Sequence, residues 1–220
     1  MTPAYREIYL NDAMHAMGER LDYAVHDCGC DGDSFFSQFL SSGIAKQFER
    51  GNPKFVGGMS GVELALEVFR QTTGQFPSVD ASAYREKSPE YWAGWSLAYY
   101  QWKTGMAFRE MVSCGLTVST VCSMYLLHEA DIRKFTEVAD KVIQENLRES
   151  ETNLKRIRSV NRLSQKQLAE VSGITLRMIQ LYEQRRSDIN KAQASTLCGL
   201  ARSLNCQLED LMEPQILARS

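Results

Sequence analysis

The stretch "LSQKQLAEVSGITLRMIQLYEQ", residues 163–184, predicts two short helices joined by a tight turn. Ser164 can cap the first helix through its hydroxyl, and Thr175 can cap the second in the same way. Gly173 supplies the positive φ that lets the chain leave one helix and turn sharply into the next. In the first helix, the residues predicted to face inward are Leu168, Ala169 and Val171. The stretch therefore predicts two helices that pack against each other at a large angle.

The second helix, from Thr175 to Gln184, has two different sides. Ile179 and Tyr182 lie three residues apart and are predicted to face the core, with Met178 at the edge. The opposite side carries Leu176, Arg177, Gln180 and Gln184. A helix that packs on a small domain through one face and enters a DNA major groove with the other needs this division.

Neighbouring segments supply the rest of a small helical domain. Leu154 and Ile157 predict a helix before the pair. "NKAQASTLCGLARSLN" and "QLEDLM" predict two more helices after it, with the apolar residues Ala192, Leu197, Leu200, Ala201, Leu204, Leu208 and Leu211. Five helices in about 62 residues can form a bundle around one core.

Residues 152–213 resemble the Cro/cI-type (XRE-family) helix-turn-helix domain of bacterial and phage repressors. The resemblance covers about the last third of the chain and rests on "LSQKQLA", "SGIT", "MIQLYE" and "LCGLARSLNCQLEDL". It implies a C-terminal five-helix, lambda-repressor-like domain that binds double-stranded DNA. "YWAGWSLAYYQW" and "LHEADIRKF" resemble, more loosely, uncharacterised bacterial proteins that carry the same type of DNA-binding tail.

The resemblance also implies roles for individual residues. It places Leu176, Arg177 and Gln180 at base-reading positions, and it matches Gln165 to a phosphate-contacting glutamine at a helix start. Arg158 and Glu183 match a structural ion pair. The residues predicted to contact the DNA backbone are Ser164, Gln165, Thr175, Gln184, Arg185, Arg186 and Lys191. For Leu176 the alternative is packing at the rim of the core, and for the charged and polar residues it is simple solvation.

One position departs from the family pattern. Relatives often have a glycine after the base-reading helix, called the recognition helix, which in this chain is the second helix of the pair. This chain has Arg185 there, followed by Arg186. The departure leaves the conformation of that turn open, but it adds positive charge where phosphates are expected. Leu181 occupies a position that is often polar or basic in relatives, so that contact is either lost or replaced by one to a thymine methyl group.

The front of the chain is also predicted to be helical. "YLNDAMHAMGERLDYAV" has apolar residues at spacings of three and four, which is typical of an amphipathic helix. Ser60 and Glu63 form a capping-box pattern, while Ser88, Pro89 and Gly105 mark the two ends of another helix. Together with the tail, the predicted organisation is an all-α chain with a helical domain at 1–148, the DNA-binding domain at 149–213 and a tail at 214–220.

Composition and charge limit the class of protein. The 220 residues include no apolar run of the length that a membrane span needs, and the N-terminus lacks a signal-peptide pattern. We therefore expect a cytoplasmic protein whose six cysteines are reduced. Residues 1–148 carry 14 basic and 19 acidic side chains, whereas residues 149–220 carry 11 and 8. This asymmetry favours contact between the back of the chain and a polyanion.

Three groups in the front domain invite other interpretations. Trp92, Trp95, Tyr99 and Trp102 form a helical stripe, which we interpret as a core face, with a partner or ligand groove as the alternative. "LHEAD" brings His128, Glu129 and Asp131 together, but the second histidine of a metalloprotease helix is missing, so we expect a helix start instead. His26, Cys28 and Cys30 lack a second cluster of zinc-site spacing. The sequence therefore predicts no catalytic residues, no metal and no cofactor.

The function that the sequence favours is a transcriptional regulator, acting as a repressor and binding double-stranded DNA as a homodimer. Its front domain would dimerise, sense a small ligand or bind a protein partner, without contact with a membrane. The alternative is an antitoxin-like protein whose front domain binds a companion toxin and whose DNA-binding domain controls its own operon. An enzyme fused to a DNA-targeting tail ranks last.

Overall fold

The structure, a computed structural model, describes residues 3–74, 77–82 and 87–213; the predicted tail, 214–220, lies outside the described residues. All regular secondary structure in the described residues is helical, which confirms the all-α prediction. Among these helices, none combines the length and the apolar character that crossing a membrane requires. The chain divides into two compact units, an N-terminal unit that ends at Gln144 and a C-terminal unit that begins at Glu145.

The N-terminal unit consists of helices joined by short turns. A 3₁₀ turn at Glu7–Tyr9 leads into the first helix, and a π-helical turn at Tyr23–Asp27 follows it. The helices are α1 (Leu10–Asp22), α2 (Gly32–Ser41), α3 (Gly43–Glu49), α4 (Pro53–Val56), α5 (Gly61–Thr72), α6 (Pro89–Thr104), α7 (Phe108–Ser113), α8 (Val118–Ser123) and α9 (Ile132–Glu149). The boundary between the two units falls within α9.

The predicted start of α5 and both predicted ends of α6 are confirmed. Ser60 and Glu63 form a complete capping box at the start of α5. Ser88 Oγ accepts a hydrogen bond from the Tyr91 amide at the start of α6, and Gly105 takes a φ of 70° just after its end. These ends depend on residues within one turn of the boundary, and sequence therefore suffices to find them.

Helices α1 and α6 form the centre of the N-terminal unit. A Cβ atom on Gly94 would lie 2.4 Å from the carbonyl oxygen of Met17, and one on Gly18 would lie 2.9 Å from the carbonyl oxygen of Tyr91. The two glycines therefore allow the helix backbones to approach closely. The core of this unit also contains a set of fully buried phenylalanines, namely Phe35, Phe36, Phe39, Phe48 and Phe108.

The core of this unit also contains a fully buried arginine, Arg20. Its guanidinium carbon lies 3.6 Å from the ring centroid of Phe39 and 5.6 Å from that of Phe48. Burial lowers the pKa of Arg20 to about 9. No carboxylate of the described residues pairs with it, so contact with the aromatic faces compensates for part of its lost hydration.

The aromatic stripe on α6 is only partly a core face. Trp92 is buried at 8% exposure, whereas Trp95, Tyr99 and Trp102 are only half-buried. The helix packs on α1 through its small residues, and the large rings consequently lie along the border between core and solvent. The prediction of a core face is right for Trp92 and wrong for the other three.

The "LHEAD" segment does not start a helix at its histidine. His128 and Glu129 end a 3₁₀ helix, Tyr125–Glu129, and α9 begins only at Ile132. The carboxylate of Asp131 accepts a hydrogen bond from the Arg133 amide in the first turn of α9. The expected carboxylate at a helix start is therefore Asp131 alone, because Ala130 is extended and separates it from the preceding turn.

In its described residues, the C-terminal unit has the end of α9, five complete α-helices and one 3₁₀ turn, Ile189–Lys191. The helices are α10 (Asn153–Val160), α11 (Gln165–Ser172), α12 (Leu176–Glu183), α13 (Ala194–Leu204) and α14 (Leu208–Leu211). Its single core contains Leu154, Ile157, Leu168, Ile179, Tyr182, Ile189, Leu197, Leu200, Ala201, Leu204 and Leu211. The five predicted helices are therefore present in the predicted order.

One residue predicted to face this core does not. Val171 is 59% exposed, although Leu168 on the same helix is fully buried. On α11, Leu168 is buried and Ala169 and Ser172 are half-buried. The middle of the buried side therefore lies about 50° around the helix axis from Leu168. Val171 lies on the other side of Leu168, about 110° from that centre. In a helix of eight residues the buried face is too narrow to include it.

The close crossing of α1 and α6 gives a stability prediction. We expect Gly94→Ala to lower the free energy of unfolding by about 1–3 kcal/mol, because the added methyl group meets backbone rather than a movable side chain. Urea unfolding followed by tryptophan fluorescence measures this, since all three tryptophans lie on α6. The matched control is Gly43→Ala, whose Cβ would meet nothing closer than 3.7 Å. Equal stability of the two variants would contradict the prediction.

Candidate nucleic-acid interface

The turn between α11 and α12 sets the angle between these helices. Gly173 takes a φ of 72°, and its amide donates to the carbonyl oxygen of Ala169 at 3.1 Å. Ser164 Oγ accepts a hydrogen bond from the Gln167 amide at the start of α11. Thr175 Oγ1 accepts one from the Met178 amide at the start of α12. The predicted caps and turn glycine are thus all in place.

The outer side of α12 carries the three residues predicted to read bases. Leu176, at 38% exposure, and Arg177 are exposed, while Gln180 is half-buried. With Gln184 just after the helix end, these positions fall within an arc of about 100°. The buried residues Ile179 and Tyr182 lie on the opposite side of the helix.

A buried ion pair fixes the C-terminal end of α12. Arg158 Nε donates to Glu183 Oε1 at 2.6 Å, and Arg158 Nη2 donates to Glu183 Oε2 at 2.9 Å. The side chains are only 12% and 2% exposed. Arg158 Nη1 also donates to the carbonyl oxygen of Leu163 at 2.7 Å, so one guanidinium joins α10, α12 and the loop before α11. The hydrogen bonds to Glu183 raise the pKa of Arg158.

Gln165, the predicted phosphate contact at the start of α11, is bonded to the same carboxylate. Its Nε2 donates to Glu183 Oε2 at 2.7 Å. An amide nitrogen has two hydrogens, and one therefore remains for a second acceptor. The side chain is held in a fixed direction, and α11 and α12 are joined through it.

Arg185 occupies the family's glycine position without changing the turn. It takes a φ of 52°, in the left-handed region that glycine favours. Its amide donates to the carbonyl oxygen of Tyr182, and the Arg186 amide donates to that of Leu181. These two bonds form the Schellman motif with which helices commonly end. The question left open by the sequence is therefore answered, since the turn has the form that a glycine would give.

The side chain of Arg185 is bonded within the protein. Its Nη1 donates to the carbonyl oxygen of Ser150 at 2.7 Å, and its Nη2 donates to Glu213 Oε2 at 2.8 Å. Arg186, by contrast, is exposed. Lys191 is exposed as well, with Nζ 3.7 Å from a carboxylate oxygen of Asp188. The basic groups next to α12 therefore differ in how far they are available to another molecule.

Sequence reasoning missed a polar network around Glu213. Its carboxylate accepts from the Asn153 amide at 2.7 Å as well as from Arg185, and its backbone amide and carbonyl bond to the side chain of Asn190. Asn153 Nδ2 also donates to the carbonyl oxygen of Met212. The network ties the last described residues to the start of α10. Its members are up to 60 positions apart, and no local sequence pattern predicts that they meet.

The groups weighed for metal binding lie in the N-terminal unit. His26 Nε2 lies 2.9 Å from a carboxylate oxygen of Glu90. Burial raises the pKa of the thiols of Cys28 and Cys30. Within residues 3–74, 77–82 and 87–213, no three histidine, cysteine or acidic side chains are grouped in a way that could hold a metal ion.

The buried ion pair gives a second stability prediction. We expect Glu183→Ala to destabilise the C-terminal unit by about 3–5 kcal/mol, because the guanidinium of Arg158 stays buried without its partner. Amide hydrogen exchange of α12 in the full chain measures this. Replacing both partners, Arg158→Met with Glu183→Leu, should restore most of the protection. Lys155→Ala, which breaks the exposed pair with Glu151, should change little. Full protection in Glu183→Ala would refute the role of the pair.

Comparison with known proteins adds one match. Residues 153–215 match the family model of the Cro/C1-type HTH DNA-binding domain. No curated protein and no solved structure matches the chain. The matched residues coincide with α10 to α14, the helices that carry the capped turn and the outward-facing side of α12. The chain therefore carries a Cro/C1-type helix-turn-helix DNA-binding domain, which confirms the family prediction made for residues 152–213.

Proposed function

We propose that the protein is a sequence-specific, double-stranded-DNA-binding repressor that acts as a homodimer. The observation that carries the proposal is the division of α12, with Ile179 and Tyr182 anchored in the core and Leu176, Arg177 and Gln180 on the outer side. A helix held in this way can enter the major groove without unfolding its own domain.

The two kinds of predicted contact have different roles. Arg177 can donate two hydrogen bonds to O6 and N7 of guanine, Gln180 can pair with adenine, and Leu176 can contact a thymine methyl group. Ser164, Gln165, Thr175, Gln184, Arg186 and Lys191 are proposed to contact the DNA backbone. Arg185, which the sequence predicted as a further contact, is proposed instead to stay bonded to Ser150 and Glu213. Such backbone contacts fix the register of the domain on the duplex, whereas base contacts select the sequence.

The small size of the reading surface supports the proposed dimer, and the way in which operators are occupied supports the proposed repressor role. One eight-residue recognition helix contacts only a few base pairs, so two copies on half-sites about 34 Å apart are needed for specificity. Occupation of an operator can by itself exclude other proteins from the promoter, and repression therefore needs no additional surface. We place this activity in the cytoplasm.

Selection of bound duplexes from a random pool, with the full chain, tests the proposal directly. We expect an enriched inverted repeat whose half-sites are about one helical turn, or a multiple of it, apart. Sedimentation of the complex should give two chains for each operator. A pool without an enriched sequence at moderate salt would reject the sequence-specific repressor.

Arg177→Ala tests base reading. We expect it to remove the preference at one base-pair position of each half-site, worth about 1–3 kcal/mol, because the bidentate contact to guanine is lost. The measurement is a competition assay with operators altered one base pair at a time. The matched control is Arg133→Ala in the N-terminal unit, which should leave the preferences unchanged. An equal loss of affinity for every operator in Arg177→Ala would contradict base reading by this residue.

Alanine variants of Arg186 and Arg185, compared with each other, test the proposed contacts to the DNA backbone. We expect Arg186→Ala to weaken binding to all sequences alike and to reduce the slope of log K against log salt concentration by about 1. Arg185→Ala should leave that slope unchanged, because its guanidinium is bonded to Ser150 and Glu213. Filter binding at several salt concentrations measures both. If Arg185→Ala also reduced the slope, its side chain would have to leave Glu213 when DNA binds.

A further inference from the structure

The N-terminal unit contains a cavity of about 320 Å³ that the DNA-binding domain does not use. It lies where α1, α6, the 3₁₀ helix Tyr125–Glu129 and the start of α9 meet. Its volume is at the lower end of the range for small-molecule sites and is roughly ten times the volume that one water molecule takes in the liquid. It therefore has room for one ring with its substituents.

The walls of the cavity are mainly aromatic. Tyr91, Trp92, Trp95, Tyr125 and His128 all line it. The rings of Tyr125 and His128 stack with centroids 4.2 Å apart and an angle of 9° between their planes. Tyr125 also meets Trp92 edge to face at 6.0 Å. Since Trp95 is only half-buried, a planar occupant would cover aromatic surface that solvent now reaches.

The charge of the lining indicates the charge of the ligand that the cavity favours. Lys87 is the one lining residue in the described part of the chain with a permanent charge at neutral pH, and its Nζ lies 4.9 Å from the ring centroid of Tyr91. No carboxylate of the described residues forms an ion pair with it. A cation at the mouth of an aromatic cavity favours an anionic ligand.

His128 adds a second polar feature. Its Nδ1 lies 2.7 Å from the carbonyl oxygen of Tyr125. A carbonyl oxygen only accepts hydrogen bonds, so Nδ1 carries a proton. In the neutral imidazole, Nε2 then has a lone pair that can accept a hydrogen bond from a hydroxyl group. The lining thus offers aromatic faces, one permanent positive charge and polar side chains, among them His128, Asn11 and His15, that can accept a hydrogen bond.

We propose that this cavity is a binding site for a small planar aromatic carboxylate, with the ring between Trp95 and the Tyr125–His128 pair and the carboxylate at Lys87. The proposal goes beyond DNA binding. Its test needs no DNA, and its outcome is therefore independent of the repressor proposal.

Tryptophan fluorescence of the full chain, titrated with 4-hydroxybenzoate, tests the site. Two of the three tryptophans line the cavity, and Trp102→Phe removes the one that does not. We expect saturable quenching that persists in Trp102→Phe. The neutral analogue 4-hydroxybenzamide has the same shape and should bind about twofold to fivefold more weakly, because it lacks the charge that pairs with the exposed Lys87.

Two lysine variants locate the charge. Lys87→Gln should weaken the binding of 4-hydroxybenzoate by about the same factor, so that the acid and the amide bind with equal affinity. Lys54→Gln is the matched control, since Lys54 also lies over an aromatic ring, that of Phe55, but outside the cavity. Its affinities should equal those of the unmodified chain. Absence of saturable quenching by either compound, equal binding of acid and amide by the unmodified chain, or equal losses in both lysine variants would overturn the proposal.

Discussion

The carboxylate of Glu183 is the group on which the geometry of the DNA-binding domain depends. It lies at the end of α12 and is almost fully buried, yet it carries a charge. Arg158 from α10 and Gln165 from α11 both donate to it. Three helices therefore meet at one side chain. Because a buried charge without partners is costly, each of these helices is held in the position that keeps the carboxylate satisfied.

This arrangement links the core to the surface that we propose to face DNA. Ile179 and Tyr182 fix the rotation of α12 about its axis, since turning the helix would expose both side chains. Glu183 fixes its far end, and the cap at Thr175 fixes its near end. With the rotation and both ends fixed, Leu176 and Arg177 can point only away from the domain. The direction of the outer side chains is thus a consequence of buried contacts and not of contacts among themselves.

The features that could be predicted from the sequence are those set by neighbours in the chain. The caps at Ser164 and Thr175, the turn at Gly173 and the order of the five helices depend on residues within a few positions of each other. The exposure of the half-buried Trp95 and of the exposed Val171 could not be predicted from the sequence. It depends on how much of each helix is covered by the elements that pack against it. The network around Glu213 likewise joins residues that no spacing rule connects.

Three arginines near the end of the recognition helix show why composition alone overstates the charge available to DNA. Arg158 is neutralised by a buried carboxylate, and Arg185 is bonded to Glu213. Only Arg186 of these three is exposed. All three count equally in the basic excess of the C-terminal third, yet a group already paired in the free protein must break that pair before it can release a counterion from DNA. The electrostatic contribution to binding therefore depends on which guanidinium groups the fold leaves exposed.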